Sequence, residues 1–298
     1  MTATNIELNS LAQFTHNNAV YWAAFSSDGK QLASASLDNT VKLWNVESRE
    51  HVGTLKGHGD GVAYVGYLAD GRIVTASLDR NLKVWSADGV LKSTIAGHQD
   101  YLTCAAAAPR GTLVASGGFD KVVRLWDADL ASSRGVLSGH EGSVLAVAVS
   151  PDTSLVASGG NDRTVRIWDV EERKQVHVLS GHNASIEAVD FSPRAKLLAS
   201  ADMEGRIRIW TLSGETADSF ESGAARIRSL GFSPDGEWLA GGDGTGTVRI
   251  WNVADRTELA RVAAHRNTVY SVRFSSGGKL LATAGFDRTV RLFGVSRG

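Results

Sequence analysis

The chain carries few of the devices that fix a fold covalently. A single cysteine, Cys104, excludes an intramolecular disulfide and fits a reducing compartment. Four prolines among 298 residues impose few breaks on the backbone. No run of about 18 apolar residues occurs, so nothing reads as a membrane-spanning helix. The opening Met1-Thr2-Ala3-Thr4-Asn5-Ile6-Glu7 has neither the basic start nor the apolar stretch of a secretory signal. Neither sign of charge is in excess, with 31 Lys and Arg against 32 Asp and Glu, which argues against a broad surface for nucleic acid or anionic membrane. These features lead to the expectation of a cytoplasmic protein with neither nucleic acid nor membrane as partner. A chain of this length buries roughly 75% of its unfolded surface, enough for a core without disulfide or metal.

Glycine, by contrast, is abundant at 32 residues, among short runs rich in β-branched side chains. One segment recurs: apolar, basic, apolar, aromatic. It ends at Trp44, Trp85, Trp126, Trp168, Trp210, Trp251 and Phe293, with spacings of 41 or 42 residues. Such a period makes the internal repeat the first fact about the fold. Each copy holds, in order, a Gly-His pair or its relic, an apolar run ending in a polar turn, a small-residue run such as Leu32–Ser36, a turn with Asp, and the aromatic run. Runs of 5–8 residues bounded by Gly, Asp, Asn or Ser read as strands, four per unit, and no 12-residue segment shows a convincing helical period.

This registered pattern resembles the WD-repeat family, whose unit of about 40–45 residues is one four-stranded propeller blade. The resemblance implies an all-β fold: a seven-bladed β-propeller, four antiparallel strands per blade, forming one domain over residues 1–298. It also implies closure of the ring by the N-terminal strand, Ile6–Phe14 pairing with Val290–Val295. The repeat places His16, His58, His98, His140, His182 and His265 at one position, with Gly223 in the sixth unit. Six residues before each aromatic stand Asp38, Asp79, Asp120, Asp162, Glu204, Thr245 and Asp287. In the family such His and Asp residues tie a blade together with a Ser or Thr and the Trp. Units five and six thus read as degenerate.

A histidine oriented by a carboxylate can act as a general base, but five copies of the pair point to a structural role: satisfying polar groups between strands. The basic residue two before each aromatic, from Lys42 to Arg291, reads as a stem laid over the ring with its charge in water. The run Gly241-Gly242-Asp243-Gly244-Thr245-Gly246 leads into a strand instead of a helix, so it reads as a β-turn and not a phosphate loop. No cluster has metal-ligand spacing, so no metal or other cofactor is expected. Cys104, among alanines, reads as a small buried hydrophobe.

Strand order defines a top face, bearing the loop after each Gly-His and the turn before each aromatic strand. At the turn tips stand Leu37, Leu78, Phe119, Asn161, Met203, Gly244 and Phe286. Entering the inner strands on that side are Tyr21, Ala63, Thr103, Leu145, Glu187, Arg228 and Tyr270. The apolar members gather on units seven, one, two and three: Tyr21, Leu37, Leu78, Phe119, Tyr270 and Phe286. Apolar turn tips in a contiguous patch mark an interaction site, and aromatic anchors suit hot spots; Glu187 and Arg228 suit a polar rim opposite. The expected function is a non-enzymatic scaffold presenting this face to a protein or peptide, as a monomeric propeller within a complex. The alternative is a propeller enzyme with a metal or ligand in the central channel. Against it, the positions before the last apolar residue of each inner strand are small in five units, leaving only Asp190 and Arg273.

Overall fold

A computed structural model describes residues 5–129, 131–224 and 226–298, with the backbone alone of Ala217. Met1 to Thr4, Leu130 and Ala225 lie outside the described residues. The described chain forms seven four-stranded antiparallel sheets set in a ring. Blade one consists of Val20–Phe25, Gln31–Ser36, Thr40–Asn45 and His51–Lys56, from the axis outward. Blades two to six repeat this order within 62–96, 102–137, 144–179, 186–221 and 227–263. Blade seven takes Val269–Phe274, Leu280–Gly285 and Thr289–Arg297 from the C-terminal end of the chain and Ile6–Thr15 as its outer strand. The register runs from Ile6 opposite Arg297 to Thr15 opposite Thr289, with a bulge at Leu11. The ring is therefore closed as the repeat pattern predicted, and the strand at Thr289–Arg297 has a partner on both sides.

The recurring aromatics seal the seams between blades. Trp168 of blade four packs among Cys104, Val123, Leu125 and Leu137 of blade three. Trp85 packs in the same way on blade one, and Trp44 on blade seven, whose Val290 and Leu292 it meets. Phe293 fills the place against blade six, beside Val248 and Ile250. Each of these rings carries 150–250 Å² of apolar surface, so the seams hold much of the hydrophobic stabilisation. The second strand of each blade is rich in small residues, as in Leu113–Gly118.

Within a blade, the polar residues between strands form a chain of hydrogen bonds. In blade four His140 Nε2 meets Ser158 Oγ at 2.7 Å, and Nδ1 meets Asp162 at 2.8 Å. The indole of Trp168 donates to the same Ser158 at 2.8 Å. Blades one, two, three and seven repeat the His–Asp link. Burial pushes His140 below the ordinary histidine value, with the nearby Asp162 only partly opposing it, so the ring is held neutral. The pairs are structural, buried parts of every such blade.

Blades five and six depart from the expected register in a specific way. Glu204 is exposed, and its carboxylate does not take the place of the aspartate in the network. Asp202, two residues earlier at the end of the second strand, bonds His182 Nδ1 at 2.6 Å and caps the amides of Glu204 and Arg206. Blade five therefore has a complete network of His182, Ser200, Asp202 and Trp210 and is not degenerate, contrary to the expectation from Glu204. The shift goes with a change of turn. Blades one to four and seven bend through a non-glycine residue at positive φ, such as Arg163 at 64°, whereas blades five and six use Gly205 and Gly246. In blade six Asp243 likewise replaces Thr245, whose hydroxyl donates to it at 2.7 Å, and Arg249 stands near it at 3.9 Å. Gly241-Gly242-Asp243 thus end a strand, and only residues 244–246 form the turn.

The basic residues before the aromatics behave less uniformly than expected. Lys42 and Arg208 do lie over Trp44 and Trp210, each 5.7 Å from the ring centroid. Lys83, however, is buried and donates to Thr94 at 2.8 Å instead of reaching water.

Candidate protein-interaction face

The top face is assembled from one local device used seven times. In every blade the pairing of inner and second strands shifts by one residue after its first pair, as between Val20–Ser36 and Trp22–Ala35. The unpaired residues are Tyr21, Ala63, Thr103, Leu145, Glu187, Arg228 and Tyr270. A bulge bends its strand and re-aims the extra side chain. All seven of these residues line a single cavity of about 470 Å³ at the channel mouth. The repeat register had placed them at this end; the bulge is what turns them into it.

A second repeated bond sets the turn tips beside this ring. The amide of each tip residue donates to the carbonyl of the residue just before the inner strand: Leu37 to Ala19, Leu78 to Gly61, Phe119 to Tyr101, Phe286 to Thr268. Phe286 is half-exposed at 50%, Phe119 is exposed at 44%, and Tyr21, Leu37, Leu78 and Tyr270 are partly exposed. None of the six is buried. Tyr21 stacks on Tyr270 with centroids 4.4 Å apart and planes 7° from parallel. Tyr270 in turn meets Phe286 at 6.3 Å. Burial, followed by the adjacent Tyr270, pushes the Tyr21 hydroxyl up to about 12, so this phenol stays neutral at physiological pH. On the next blades, a side chain on Gly61 would collide with Leu37 and stand 3.4 Å from Leu78 Cδ1, so the missing Cβ lets the two leucines close together.

Tyr101 also belongs to this surface, beyond the residues that the sequence pattern singles out. It is 48% exposed and meets Phe119 edge-on at 6.0 Å. It occupies the position just before the inner strand, two residues ahead of Thr103, and the same place in blade six is held by Arg226, two residues ahead of Arg228; extending the register back by two finds both. Tyr21, Leu78, Phe119, Tyr101 and Tyr270 all border the cavity, whereas Leu37 and Phe286 stand outside its lining.

The far side is not the polar rim that Glu187 and Arg228 suggested. Glu187 is buried, with Arg226 Nη2 at 3.1 Å from Oε1 and the Arg228 guanidinium on Oε2. Arg228 also lies over the Tyr270 ring, 5.1 Å from its centroid. The floor is Arg273, whose Nη1 donates to the carbonyls of Leu230 and Val272 at 2.5 and 2.6 Å. Its guanidinium lies 4.1 Å from the Trp22 ring centroid, and Trp22 meets Tyr64 at 5.2 Å. Below this group a second cavity of about 310 Å³ is bordered by Ala24, Gly66, Ala106, Ala148 and Asp190. Asp190 accepts the amide of Phe232 at 2.9 Å, and burial raises its carboxyl above the usual range despite Arg273. Among the described residues, no three His, Cys, Asp or Glu side chains come together that could hold a metal ion. Cys104 is buried, and burial pushes its thiol up to about 12, far from a reactive thiolate.

Comparison with known proteins agrees with this architecture. Residues 129–298, more than half of the chain, match the family described as IFT122 first beta-propeller. Residues 8–45, 49–86 and 89–127 match the WD domain, G-beta repeat. Among similar curated proteins, apoptotic protease-activating factor 1 of Rattus norvegicus is 31% identical over 118 residues, covering 39% of this chain and 9% of that protein. The CCR4-associated factor 4 homolog of Candida glabrata is 33% identical over 107 residues, 32% of this chain and 18% of its own. WD repeat and SOCS box-containing protein 1 of Danio rerio is 33% identical over 109 residues, 35% of this chain and 26% of its own. The chain thus spans at most about a quarter of the length of these relatives. With seven registered repeats, a closed ring of four-stranded blades and these matches together, the chain belongs to the WD-repeat β-propeller family.

Proposed function

We propose that this propeller is a non-enzymatic scaffold, working in the cytoplasm as a monomer within a larger complex, and that it binds a protein or peptide on the top face of blades seven, one, two and three. WD-repeat propellers are typically protein-interaction scaffolds. The observation that carries the finer reading is the partly exposed aromatic row Phe286–Tyr270–Tyr21 at the mouth of an apolar-walled cavity. A half-exposed phenylalanine at a turn tip adds little to the core, while a pocket of 300–1,000 Å³ with a few polar groups is the usual shape of a recognition site. The stacked tyrosines are rigid anchors and lose little side-chain freedom when a partner docks. A channel enzyme has less support, because Glu187 is engaged by two arginines and Asp190 by a backbone amide.

A random peptide library displayed against the full chain tests the reading. Binders that lose affinity on Tyr270→Ala, but keep it on Ala148→Ser at the opposite mouth, support it. Binders indifferent to Tyr270→Ala and Phe119→Ala alike would place the recognition surface elsewhere.

A further inference from the structure

The aromatic row adjoins a sector of unbalanced positive charge. Every regular blade carries one carboxylate in its polar network, so the comparison rests on the other charges of the top loops. In blades two, three and four these alternate one for one: exposed Asp60 with Arg80, Asp100 with Lys121, Glu141 with Arg163. Blade five adds the exposed Glu204. Blades six and seven carry Arg226, Arg228, Arg266 and Arg288, and the carboxylate given to them is Glu187, buried beneath the first two. Arg226 Nε is buried without a hydrogen-bond partner, although more than a third of that side chain is exposed. Arg228 stands over Tyr270, so a cation borders the aromatic row directly. The cavity beneath has apolar walls and a second guanidinium, Arg273, at its floor.

We infer that the segment received by this face is acidic: an extended stretch of a partner protein with one aromatic or large apolar residue entering the cavity. One or more Asp or Glu beside it would lie on Arg226 and Arg266. The inference rests on the top-face reading and gives its ligand a chemistry. Two guanidiniums sharing one carboxylate retain a net positive charge and spare N–H groups, and charge-assisted bonds to a carboxylate are the strongest such groups form. A cationic sector also steers an acidic segment into register and penalises a basic one.

The test uses peptides selected on the full chain whose binding is lost on Tyr270→Ala. The expected peptides carry Asp or Glu within three residues of an apolar anchor. The double variant Arg226→Gln, Arg266→Glu binds them at least tenfold more weakly, while Arg80→Glu, Lys121→Glu does not. Affinity for the unmodified chain falls as salt is raised. A melting curve for each variant confirms that the fold is kept; should the double variant melt early, Arg266→Glu alone, an exposed position, carries the comparison. If the Tyr270-dependent peptides are neutral or basic and indifferent to both arginine changes, the acidic inference is overturned and the top-face reading stands. If no selected peptide depends on Tyr270, both fall.

Discussion

Asp202 and Glu204 show how the smallest displacement along the chain changes a residue's part. Asp202 Oδ2 bonds His182 while its Oδ1 caps two turn amides, whereas Glu204 projects into solvent. Asp202→Ala is therefore expected to destabilise the protein as much as Asp120→Ala, by roughly 1–3 kcal/mol for stranded buried partners, with Glu204→Ala within about 0.5 kcal/mol of the parent. Urea unfolding of the three variants checks this; equal losses for Asp202→Ala and Glu204→Ala would return the role to the register position. The networks also predict a pH dependence. Burial lowers His16, His98 and His140, so the folded chain resists protonating them. For Asp38, Asp162 and Asp202 burial acts upward, but hydrogen bonds from turn amides, hydroxyls and histidine outweigh it and lower them. Both groups bind more protons when unfolded. Stability is full above about pH 6.5, declines as pH falls through the histidine range, and declines again below about pH 4. Urea midpoints at pH 7, 5.5 and 4 should fall in that order, and a flat profile from 7 to 5.5 would contradict neutral buried histidines.

Among the strands, blade six is the one that abandons the shared network. It lacks the histidine at Gly223 and the hydroxyl at Gly241, where blade four has Ser158. The space is taken by the indole itself: a Cβ on Gly241 would stand 2.6 Å from Trp251 Cζ3. Restoring the family residue should therefore harm the protein. Gly241→Ser is expected to cost roughly 1–3 kcal/mol through overpacking, read from the urea midpoint; a gain in stability would show that the ring can swing back. The closing strand makes the opposite kind of prediction. Deleting residues 1–14 exposes the long edge of Thr289–Arg297 and uncovers Trp44, on which Phe14 stacks at 4.7 Å. Reduced solubility and a large fall in melting temperature are expected, since an open edge recruits other chains. A truncated chain that melts like the parent would mean that this strand does not close the ring. Most of this level was legible in the sequence, because the aromatic period and the small-residue runs each serve one place in a blade. The carboxylate shift in blades five and six was not, because turn geometry, set by Gly205 and Gly246, decides which of two nearby residues faces the histidine. Nor was the bulge, which leaves the order of residues unchanged and alters only their direction.

At the scale of the whole ring, seven bulges and seven tip-to-loop bonds turn a repetitive chain into a face whose sectors differ. The sequence order alone gathered Tyr21, Leu37, Leu78, Phe119, Tyr270 and Phe286 on adjacent blades, and the structure keeps all six accessible. Tyr101 and Arg226 escaped because they stand one residue before the inner strands, and Glu187 was misjudged because pairing with two arginines draws it inward. A binding face is separable from the core, and Phe286 separates the two most directly. Phe286→Ala should weaken a top-face peptide by about 2 kcal/mol, roughly thirtyfold, as for a hot-spot side chain, while the melting temperature stays that of the parent. Titration of one selected peptide against both proteins, with a melt of each, decides the matter. A loss of about 3–5 kcal/mol in stability, as for a core phenylalanine, with peptide affinity unchanged, would make Phe286 a cap on the fold and contradict the proposed interaction face.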